Sequence, residues 1–259
     1  MNDSLVPLVA SLALAMSELG DLLLEKREAQ DIDGEWHGSQ LKSSADLFAH
    51  DFLVSTLGKL TPEIPVISEE SINLNDLVRP SYYWLIDPID GTASYVNGFD
   101  GFVTQAALIR DSIPQLGVIY APVTKECYTA VMGRGAYKNG MPIQNSNNAD
   151  EIRIIDNYPE PRGITKSLME KFTSSEYIES GSLSLKALRV IEGAADIFVK
   201  DVVVRDWDFA APMAISNELS GIIRQVDDQP FELTGNWEKN GVIVCRDQDL
   251  YRQVCRILN

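Results

Sequence analysis

Segments with the spacing of helices and strands alternate along the second half of the chain, and this alternation most constrains the fold. Apolar residues recur with helical spacing in residues 182–193 and 207–219, and again in residues 250–258. Short apolar runs typical of strands lie between and around these segments, at residues 152–155, 196–199, 221–226 and 241–245. Strands and helices that alternate must pack as layers around a shared core, so the sequence predicts a layered α/β architecture.

The first half begins with helices and continues as a strand-rich region. Seven apolar residues near the N-terminus recur with helical spacing: Leu5, Leu8, Val9, Leu12, Met16, Leu19 and Leu23. Residues 31–44 are polar and are predicted to form a loop, and a second helix is predicted over residues 46–60. Strand-like runs then occur at residues 64–67, 82–86, 102–109, 114–120 and 126–132, of which the last three resemble a meander.

Composition excludes several classes of function. A hydrophobic fraction of 45% in 259 residues is sufficient for a sizeable core. The chain has 22 basic and 38 acidic residues, a formal net charge of −16, and such a surface repels nucleic acid and anionic lipid. A phosphate substrate would need a local cation to offset that repulsion. The three cysteines, Cys127, Cys245 and Cys255, have no CxxC spacing, which argues against a disulfide framework or a structural zinc site.

The apolar run at residues 5–16 must be distinguished from a signal peptide and from a membrane span. No Lys or Arg precedes Lys26, and Asp3 lies where a signal peptide would carry positive charge. The run is also too short to cross a bilayer. We therefore expect an amphipathic first helix that packs on the core of a cytoplasmic protein.

The segment Trp84-Leu-Ile-Asp-Pro-Ile-Asp-Gly-Thr92 carries the most specific chemical signal. A strand is predicted to end at Asp87, because Pro88 blocks the hydrogen-bond ladder and starts a turn. Asp90 then returns a second carboxylate to the same neighbourhood, and carboxylate and carbonyl oxygens are the hard ligands that Mg²⁺ prefers. Backbone N–H groups at Gly91 and Thr92 could hold a phosphate if a helix begins there. The alternative is an ordinary Asp-Pro turn.

Other acidic residues strengthen the case for a cation site. Glu69 and Glu70 follow a strand-like run, and adjacent acids repel each other unless a cation or solvent compensates. Asp208 follows Trp207 at a predicted helix start, and Asp46 lies at the start of the second predicted helix. Each has an ordinary alternative: a solvated loop for the glutamates and a helix N-cap for the two aspartates.

Taken together, these segments resemble the inositol monophosphatase family of metal-dependent phosphatases. The resemblance covers nearly the whole chain and rests on five segments in the family's order and spacing: Ser43-Ser-Ala-Asp46, Ser68-Glu-Glu-Ser71, Trp84 to Thr92, Gly181-Ser182 and Trp207-Asp-Phe-Ala-Ala211. It implies the five-layer αβαβα sandwich of the inositol monophosphatase and fructose-1,6-bisphosphatase type. It also implies two halves, residues 1–145 with most metal ligands and residues 146–259 with Asp208 and the substrate contacts.

The resemblance implies a role for each residue of these segments. Two to three Mg²⁺ ions would be held at each active site by Glu69, Asp87, the Ile89 carbonyl, Asp90 and Asp208. Glu69 would also hold the third, weaker ion through water. Asp46 and Thr92 resemble the pair that orients and deprotonates the attacking water. The family usually has Thr at the position of Ser43, whose hydroxyl can make the same bond. Homodimers and lithium sensitivity are further family properties.

Three segments, residues 60–70, 117–122 and 181–186, most resemble the family branch that acts on adenosine 3′,5′-bisphosphate. Substrate contacts are expected from Gly91, Thr92, Gly181, Ser182, Lys200, Asp201 and Arg205. A basic Lys200 or Arg205 suits the second phosphate of a bisphosphate, whereas Asp201 suits a polyol. Inositol phosphate, another sugar phosphate or histidinol phosphate therefore stay open as substrates. A non-catalytic regulator that binds a phosphate ligand is an alternative of another class.

Overall fold

The computed structural model describes residues 4–31, 33–37, 40–144, 151–219 and 221–258. Its helices are α1 (Leu5–Glu28), α2 (Ser44–Leu60), α3 (Thr92–Val96), α4 (Gly163–Lys171), α5 (Leu183–Ile191), α6 (Asp206–Ser216) and α7 (Gln248–Leu258). Its strands are β1 (Glu35–His37), β2 (Gln40–Lys42), β3 (Val66–Ser68), β4 (Tyr82–Asp90), β5 (Val103–Arg110), β6 (Ile113–Ala121), β7 (Glu126–Val131), β8 (Ala136–Lys138), β9 (Met141–Pro142), β10 (Ile152–Asp156), β11 (Ser175–Glu179), β12 (Ile197–Lys200), β13 (Val204–Arg205), β14 (Ile222–Arg224), β15 (Glu238–Lys239) and β16 (Val242–Cys245).

Two large sheets organise the molecule. The first has seven strands in the order β3-β4-β5-β6-β7-β8-β9, antiparallel except for the β3–β4 pair. The second has five strands in the order β11-β10-β12-β16-β14. The first contains the predicted meander, β5 to β7. The polar stretch at residues 145–150, where a boundary between the two halves is predicted, lies outside the described residues.

Three apolar clusters show how the layers stack. Helices α1 and α2 cover one face of the first sheet. Helices α5 and α6 fill the space between the two sheets. Helices α4 and α7 cover the outer face of the second sheet. The order of layers is therefore αβαβα, and the predicted layered α/β sandwich is confirmed.

Strand β4 is covered by helices on both faces, which explains its continuous apolar sequence. Tyr83 and Leu85 point into the central helical layer, whereas Trp84 and Ile86 point towards α1 and α2. Successive side chains of a strand point to opposite faces, so a strand covered on both sides has a continuous apolar sequence. The direction of this strand delivers its C-terminal acidic residues to the end of the sheet.

Helix α1 is long and apolar enough, by length and composition, to cross a membrane. It packs one face on the first sheet through Leu12, Met16, Leu19 and Leu23, each with no exposed surface. Leu14, on another face, is 74% exposed. The helix is therefore the amphipathic core helix that its spacing predicts.

Two local predictions were wrong, and several elements were missed. Residues 31–44 are not wholly a loop, because β1 and β2 pair as a hairpin, with Glu35 opposite Lys42. Strand β4 does not end at Asp87 but continues to Asp90. Helix α4 and strand β11 were not predicted, because both are largely polar and take their structure from the sheet they join.

Candidate active site

A β-bulge brings the acidic residues of β4 to one place. Asp87 pairs with Gln105 and Asp90 with Val103, so three steps along β4 match two steps along β5. Pro88 lies in this irregular stretch, where its missing N–H costs no ladder hydrogen bond. The prediction that Pro88 ends the strand is corrected here: the proline sits in a bulge. The consequence is that Asp87, the Ile89 carbonyl and Asp90 all stay at the end of one buried strand.

Asp90 is tied to the start of helix α5. Its two carboxylate oxygens accept hydrogen bonds from the backbone N–H groups of Leu183 (3.2 Å) and Ser184 (2.7 Å). These N–H groups belong to the positive end of the helix and have no partner within it. The Ser184 hydroxyl in turn donates to the Asp208 carbonyl at 2.8 Å. Residues from the two halves of the chain thereby meet at one point.

Asp46 and Asp208 each occupy the third position of a helix rather than the N-cap itself. An Asp46 oxygen accepts from the N–H and hydroxyl of Ser43, at 2.8 and 2.7 Å. An Asp208 oxygen accepts from the Arg205 N–H at 2.7 Å. The N-cap interpretation of the two aspartates is therefore corrected: Ser43 and Arg205 are the caps, and each aspartate reaches back. The second oxygen of each carboxylate is not used by that bond.

Thr92 and Asp46 form a hydrogen-bonded pair across the sequence. The Thr92 hydroxyl donates to Asp46 Oδ1 at 2.9 Å and lies 3.2 Å from the Ile89 carbonyl. Gly91, which precedes Thr92, has φ of +96°, a conformation that L side chains rarely adopt. The glycine therefore permits the turn that places this hydroxyl over the acidic cluster.

The cluster is strongly electronegative. Burial, followed by repulsion from Glu69, Asp90 and Asp208, raises the pKa of Asp87 well above its usual range. Burial and the neighbouring charges of Asp90 and Glu69 do the same to the pKa of Asp208. Burial, with the charge of Glu70 second, raises the pKa of Glu69 to about 7. Together these shifts mean that the ionised forms are unfavourable unless a cation neutralises them.

The residues fit a divalent cation. Asp87 Oδ1 is buried and has no hydrogen-bond partner among the described residues, so an oxygen ligand is available. Carboxylate and carbonyl oxygens are the donors that Mg²⁺ prefers. In the part of the chain that the structure describes, no three His, Cys, Asp or Glu side chains are already arranged around one point as ligands. A divalent cation at this place would offset the repulsion among the carboxylates.

When bound, a divalent cation supplies charge neutralisation for the phosphate and lowers the pKa of water. Glu69, Asp87, Asp90, Asp208 and the Ile89 carbonyl are the groups that would hold it. Phosphate ester hydrolysis needs positioning and charge stabilisation more than a covalent nucleophile. His50 has a structural contact instead, because its Nδ1 lies 2.8 Å from the Ser68 hydroxyl and connects α2 to β3.

A cavity of about 710 Å³ adjoins the cluster and shares Asp90 and Gly91 with it. Its wall includes two more of the predicted substrate contacts, Gly181 and Ser182. Gly181 is required by a close approach of two chain segments, since a Cβ there would lie 1.9 Å from the Gly101 carbonyl oxygen. The Ser182 N–H donates to that same oxygen at 2.6 Å. A cavity of this size accommodates a small metabolite.

Of the predicted substrate contacts Lys200, Asp201 and Arg205, one lines the cavity and two do not. Lys200 lines the cavity, where its amine contacts Asn157 Oδ1 at 2.7 Å and Asp156 Oδ1 at 3.2 Å. The exposed Asp201 is not among the cavity-lining residues, and neither is Arg205, whose guanidinium pairs with Glu238 at 3.0 Å. The structure therefore brings only Lys200 of these three to the cavity.

Lys186 is a cavity residue that sequence reasoning missed. It is 2% exposed, its amine donates to the Gly181 carbonyl, and it lines the cavity beside Lys200. Burial, followed by the nearby charge of Lys200, lowers the pKa of Lys186 to about 7. The available signal was a lysine on the apolar stretch Leu183-Ser-Leu-Lys-Ala-Leu188, where a charged residue is rarely buried without a reason.

Comparison with known proteins decides the family. A model of the inositol monophosphatase family matches residues 6–259. The chain belongs to the inositol monophosphatase family. As such it is a phosphoric monoester hydrolase, and members of this family are metal-dependent, generally with Mg²⁺, and act on small phosphate substrates.

Individual relatives agree with this assignment. The 3′(2′),5′-bisphosphate nucleotidase CysQ of Aggregatibacter actinomycetemcomitans is 33% identical over 197 residues, 73% of each chain. The structure of the Thermotoga maritima IMPase superposes with a TM-score of 0.80 at 25% identity, covering 95% of this chain and 94% of that one. CysQ from Bacteroides thetaiotaomicron gives a TM-score of 0.76 at 25% identity, covering 92% and 98%. The relatives of this chain therefore include proteins named CysQ and a protein named IMPase.

Proposed function

We propose that this enzyme is a Mg²⁺-dependent phosphatase that converts adenosine 3′,5′-bisphosphate to AMP. The observation that carries the proposal is the pair Lys186 and Lys200 in the cavity beside Asp90 and Gly91. The chain has a net charge of −16, so two amines in the cavity next to an acidic cluster call for an anionic part of the substrate. A bisphosphate offers one phosphate to the acidic cluster and a second phosphate to the two amines.

The reacting phosphate is assigned to the Gly91 end of the cavity. There it meets the carboxylates that would hold the cations, and the backbone N–H groups of Gly91 and Thr92 would donate hydrogen bonds to it. The second phosphate is assigned to the two lysines. An anion within about 4–6 Å favours the charged form of a buried amine, so binding would protonate Lys186. The amine of Lys200, held by Asn157 at 2.7 Å and paired with the Asp156 carboxylate at 3.2 Å, is assigned to contribute a second charge.

Thr92 and Asp46 are assigned to the attacking water. The Thr92 hydroxyl donates its proton to Asp46 Oδ1, so a lone pair of Thr92 Oγ1 is free to accept a hydrogen bond from water. A proton removed from that water would pass to Thr92 Oγ1 while the threonine proton passes to Asp46. Burial raises the pKa of Asp46, which makes the carboxylate a better proton acceptor. Glu69 would hold the cation beside this water.

The name of the Aggregatibacter actinomycetemcomitans relative, a 3′(2′),5′-bisphosphate nucleotidase, supports a nucleotide bisphosphate as substrate. The second candidate is a polyol or sugar phosphate, such as inositol 1-phosphate or histidinol phosphate. It is favoured by Asp100 and Glu179, two carboxylates of the cavity wall that are suited to accept hydrogen bonds from hydroxyl groups. A non-catalytic regulator is disfavoured because all the acidic ligand candidates are present. A cytoplasmic location, a homodimer and the number of bound ions stay predictions.

Phosphate release with and without Mg²⁺ tests the proposal. Adenosine 3′,5′-bisphosphate, inositol 1-phosphate, histidinol phosphate and fructose 1,6-bisphosphate would be offered in parallel. We expect Mg²⁺-dependent release with a preference for the nucleotide. Preference for inositol 1-phosphate would overturn the substrate while leaving the phosphatase assignment in place.

Two lysine variants sharpen the same assay. Lys186→Met and Lys200→Met each remove one amine, and a charge-assisted hydrogen bond of about 1.5–3 kcal/mol predicts a KM for the nucleotide raised roughly 10- to 100-fold. The KM for inositol 1-phosphate, which has no second phosphate, should change less. Arg252→Gln is the matched control, since Arg252 is 61% exposed on α7, outside the cavity. Equal effects on both substrates would contradict the second-phosphate assignment.

A further inference from the structure

Phe99 is an exposed aromatic residue on the wall of the substrate cavity. It lies in the segment between α3 and β5 and is 64% exposed. The cavity that Phe99 lines is also lined by Gly91, Lys186 and Lys200. Phe99 is not among the buried residues of the core, so its ring is available to contact a ligand in the cavity.

The backbone of Phe99 is held firmly although its ring is exposed. The Phe99 N–H donates to the Ser94 carbonyl at 2.8 Å, and the Phe99 carbonyl accepts from Arg27 Nη1 at 3.1 Å. The side chain of Asn97 closes the same turn by donating to the Ala93 carbonyl at 2.7 Å. Both backbone polar groups of Phe99 are therefore satisfied, and the residue has a defined position.

Phe102, three residues later, shows the contrast. Its ring has no exposed surface and packs edge-on against Tyr95, with centroids 5.0 Å apart. It also lies 5.4 Å from the Arg27 guanidinium. The ring of Phe102 therefore anchors the segment in the core, whereas the exposed ring of Phe99 is not part of that core. A fixed backbone that presents an unused aromatic face is the arrangement of a stacking platform.

We propose that Phe99 is a specificity residue whose ring stacks on the nucleobase of the substrate. The inference rests on the proposed function, because it requires a substrate with a planar base. With one phosphate at Gly91 and the other at the lysines, the base is the part of the substrate left to contact the remaining apolar wall. Stacking accepts any base with a π-face, so it selects nucleotides over polyol phosphates and not one base over another.

Steady-state kinetics of Phe99→Ala, with Phe99→Trp as the conservative variant, test this role. Adenosine 3′,5′-bisphosphate would be compared with a ribose bisphosphate that lacks the base. Loss of one base-stacking contact predicts a KM for the nucleotide raised about 5- to 100-fold, with kcat changed less than about twofold. The base-free substrate should show no change, and Phe99→Trp should restore the nucleotide KM. Ile113→Ala, at an exposed position (52%) outside the cavity, is the control.

An equal change in KM for both substrates, or none for either, would overturn the proposal. A binding measurement separates its failure from that of the proposed function. The fluorescence that the added indole gives the Phe99→Trp enzyme, taken as the difference from wild type, should be quenched by AMP and not by inositol 1-phosphate. Quenching without hydrolysis of the bisphosphate would sustain stacking and refute the proposed substrate. No quenching by AMP would refute stacking, whatever the enzyme hydrolyses.

Discussion

Replacing Arg79 with Met tests a buried ion cluster at the start of helix α6. Arg79 Nη1 lies 2.5 Å from Asp206 Oδ2, and the carboxylate of Asp206 has no exposed surface. Lys239 provides a second cation at 3.3 Å from Asp206 Oδ1. The Arg79 guanidinium also covers the ring of Trp237 at 3.6 Å from its centroid. The cluster thus connects the segment before β4 to the helix that carries Asp208.

The loss of stability expected for Arg79→Met follows from these contacts. Methionine fills much of the volume but leaves Asp206 with Lys239 as its one remaining cation in this cluster. Removing one partner of a buried ion pair costs about 3–5 kcal/mol, which Lys239 reduces. Loss of the desolvated cation–π contact adds up to about 2 kcal/mol. We therefore expect the free energy of unfolding to fall by about 3–5 kcal/mol, a decrease in Tm on the order of 10 °C for a chain of this size.

Urea and thermal unfolding in the presence of a chelator would measure the change. Arg79→Met should cost less stability in an Asp206→Asn background than in the wild type, because the charge that the guanidinium neutralises is then absent. Arg252→Met is the control: its pair with Asp249 is 61% and 86% exposed and should contribute less than about 1 kcal/mol. A loss below about 1 kcal/mol for Arg79→Met, or an equal loss in the wild-type and Asp206→Asn backgrounds, would refute the reasoning.

Three further predictions concern the acidic cluster, a peripheral ion pair and the cavity wall. Asp87→Asn should raise Tm in a chelator, because burial and like charges destabilise ionised Asp87, and it should abolish the Mg²⁺-induced rise in Tm; an undiminished rise would contradict the ligand assignment. Burial alone would raise the pKa of Glu126, but hydrogen bonds from Arg189 and Lys138 lower it to about 2. The ionised Glu126 therefore contributes to the free energy of unfolding above a pH of about 4.5, and this contribution is lost as the pH falls towards 2. Glu126→Gln should therefore lower stability at pH 7 by about 1–2 kcal/mol and flatten this acid loss, whereas a pH–stability curve parallel to wild type would exclude the effect. Gly181→Ala should lower kcat/KM at least about tenfold and stability by about 1–3 kcal/mol, since the methyl group displaces the Gly101 carbonyl; wild-type values for both would show that the close approach is dispensable.

Much of the fold could be predicted from periodicity because the elements with strong apolar patterns dominate the core. Helices α1, α2, α5, α6 and α7 and the meander β5–β7 were all predicted within a few residues of their ends. The hairpin β1–β2 was not, because its strands are three residues long and mainly polar. Short polar strands acquire their structure from pairing, which leaves no periodic signal in the sequence.

Candidate ligands were predictable for a different reason. Asp87 and Asp90 lie within one segment of four residues, so local chemistry alone indicates a shared site. Asp46, Glu69 and Asp208 were connected to them through the resemblance to a family, and the structure places their carboxylates near enough for mutual repulsion or a shared hydrogen bond. Their roles as ligands or as base stay predictions until metal binding is measured.

The sequence by itself determined which segments become helices and strands, and that an acidic strand end carries the chemistry, because both follow from local patterns. Only the tertiary structure decided that Pro88 sits in a bulge, that Asp46 and Asp208 accept from the N–H groups of the N-cap residues, and that Lys186 rather than Arg205 lines the cavity. These outcomes depend on how distant segments meet, such as Gly101 against Gly181 across the cavity wall. Contacts between residues about 80 positions apart follow from packing of layers, and no local spacing encodes them.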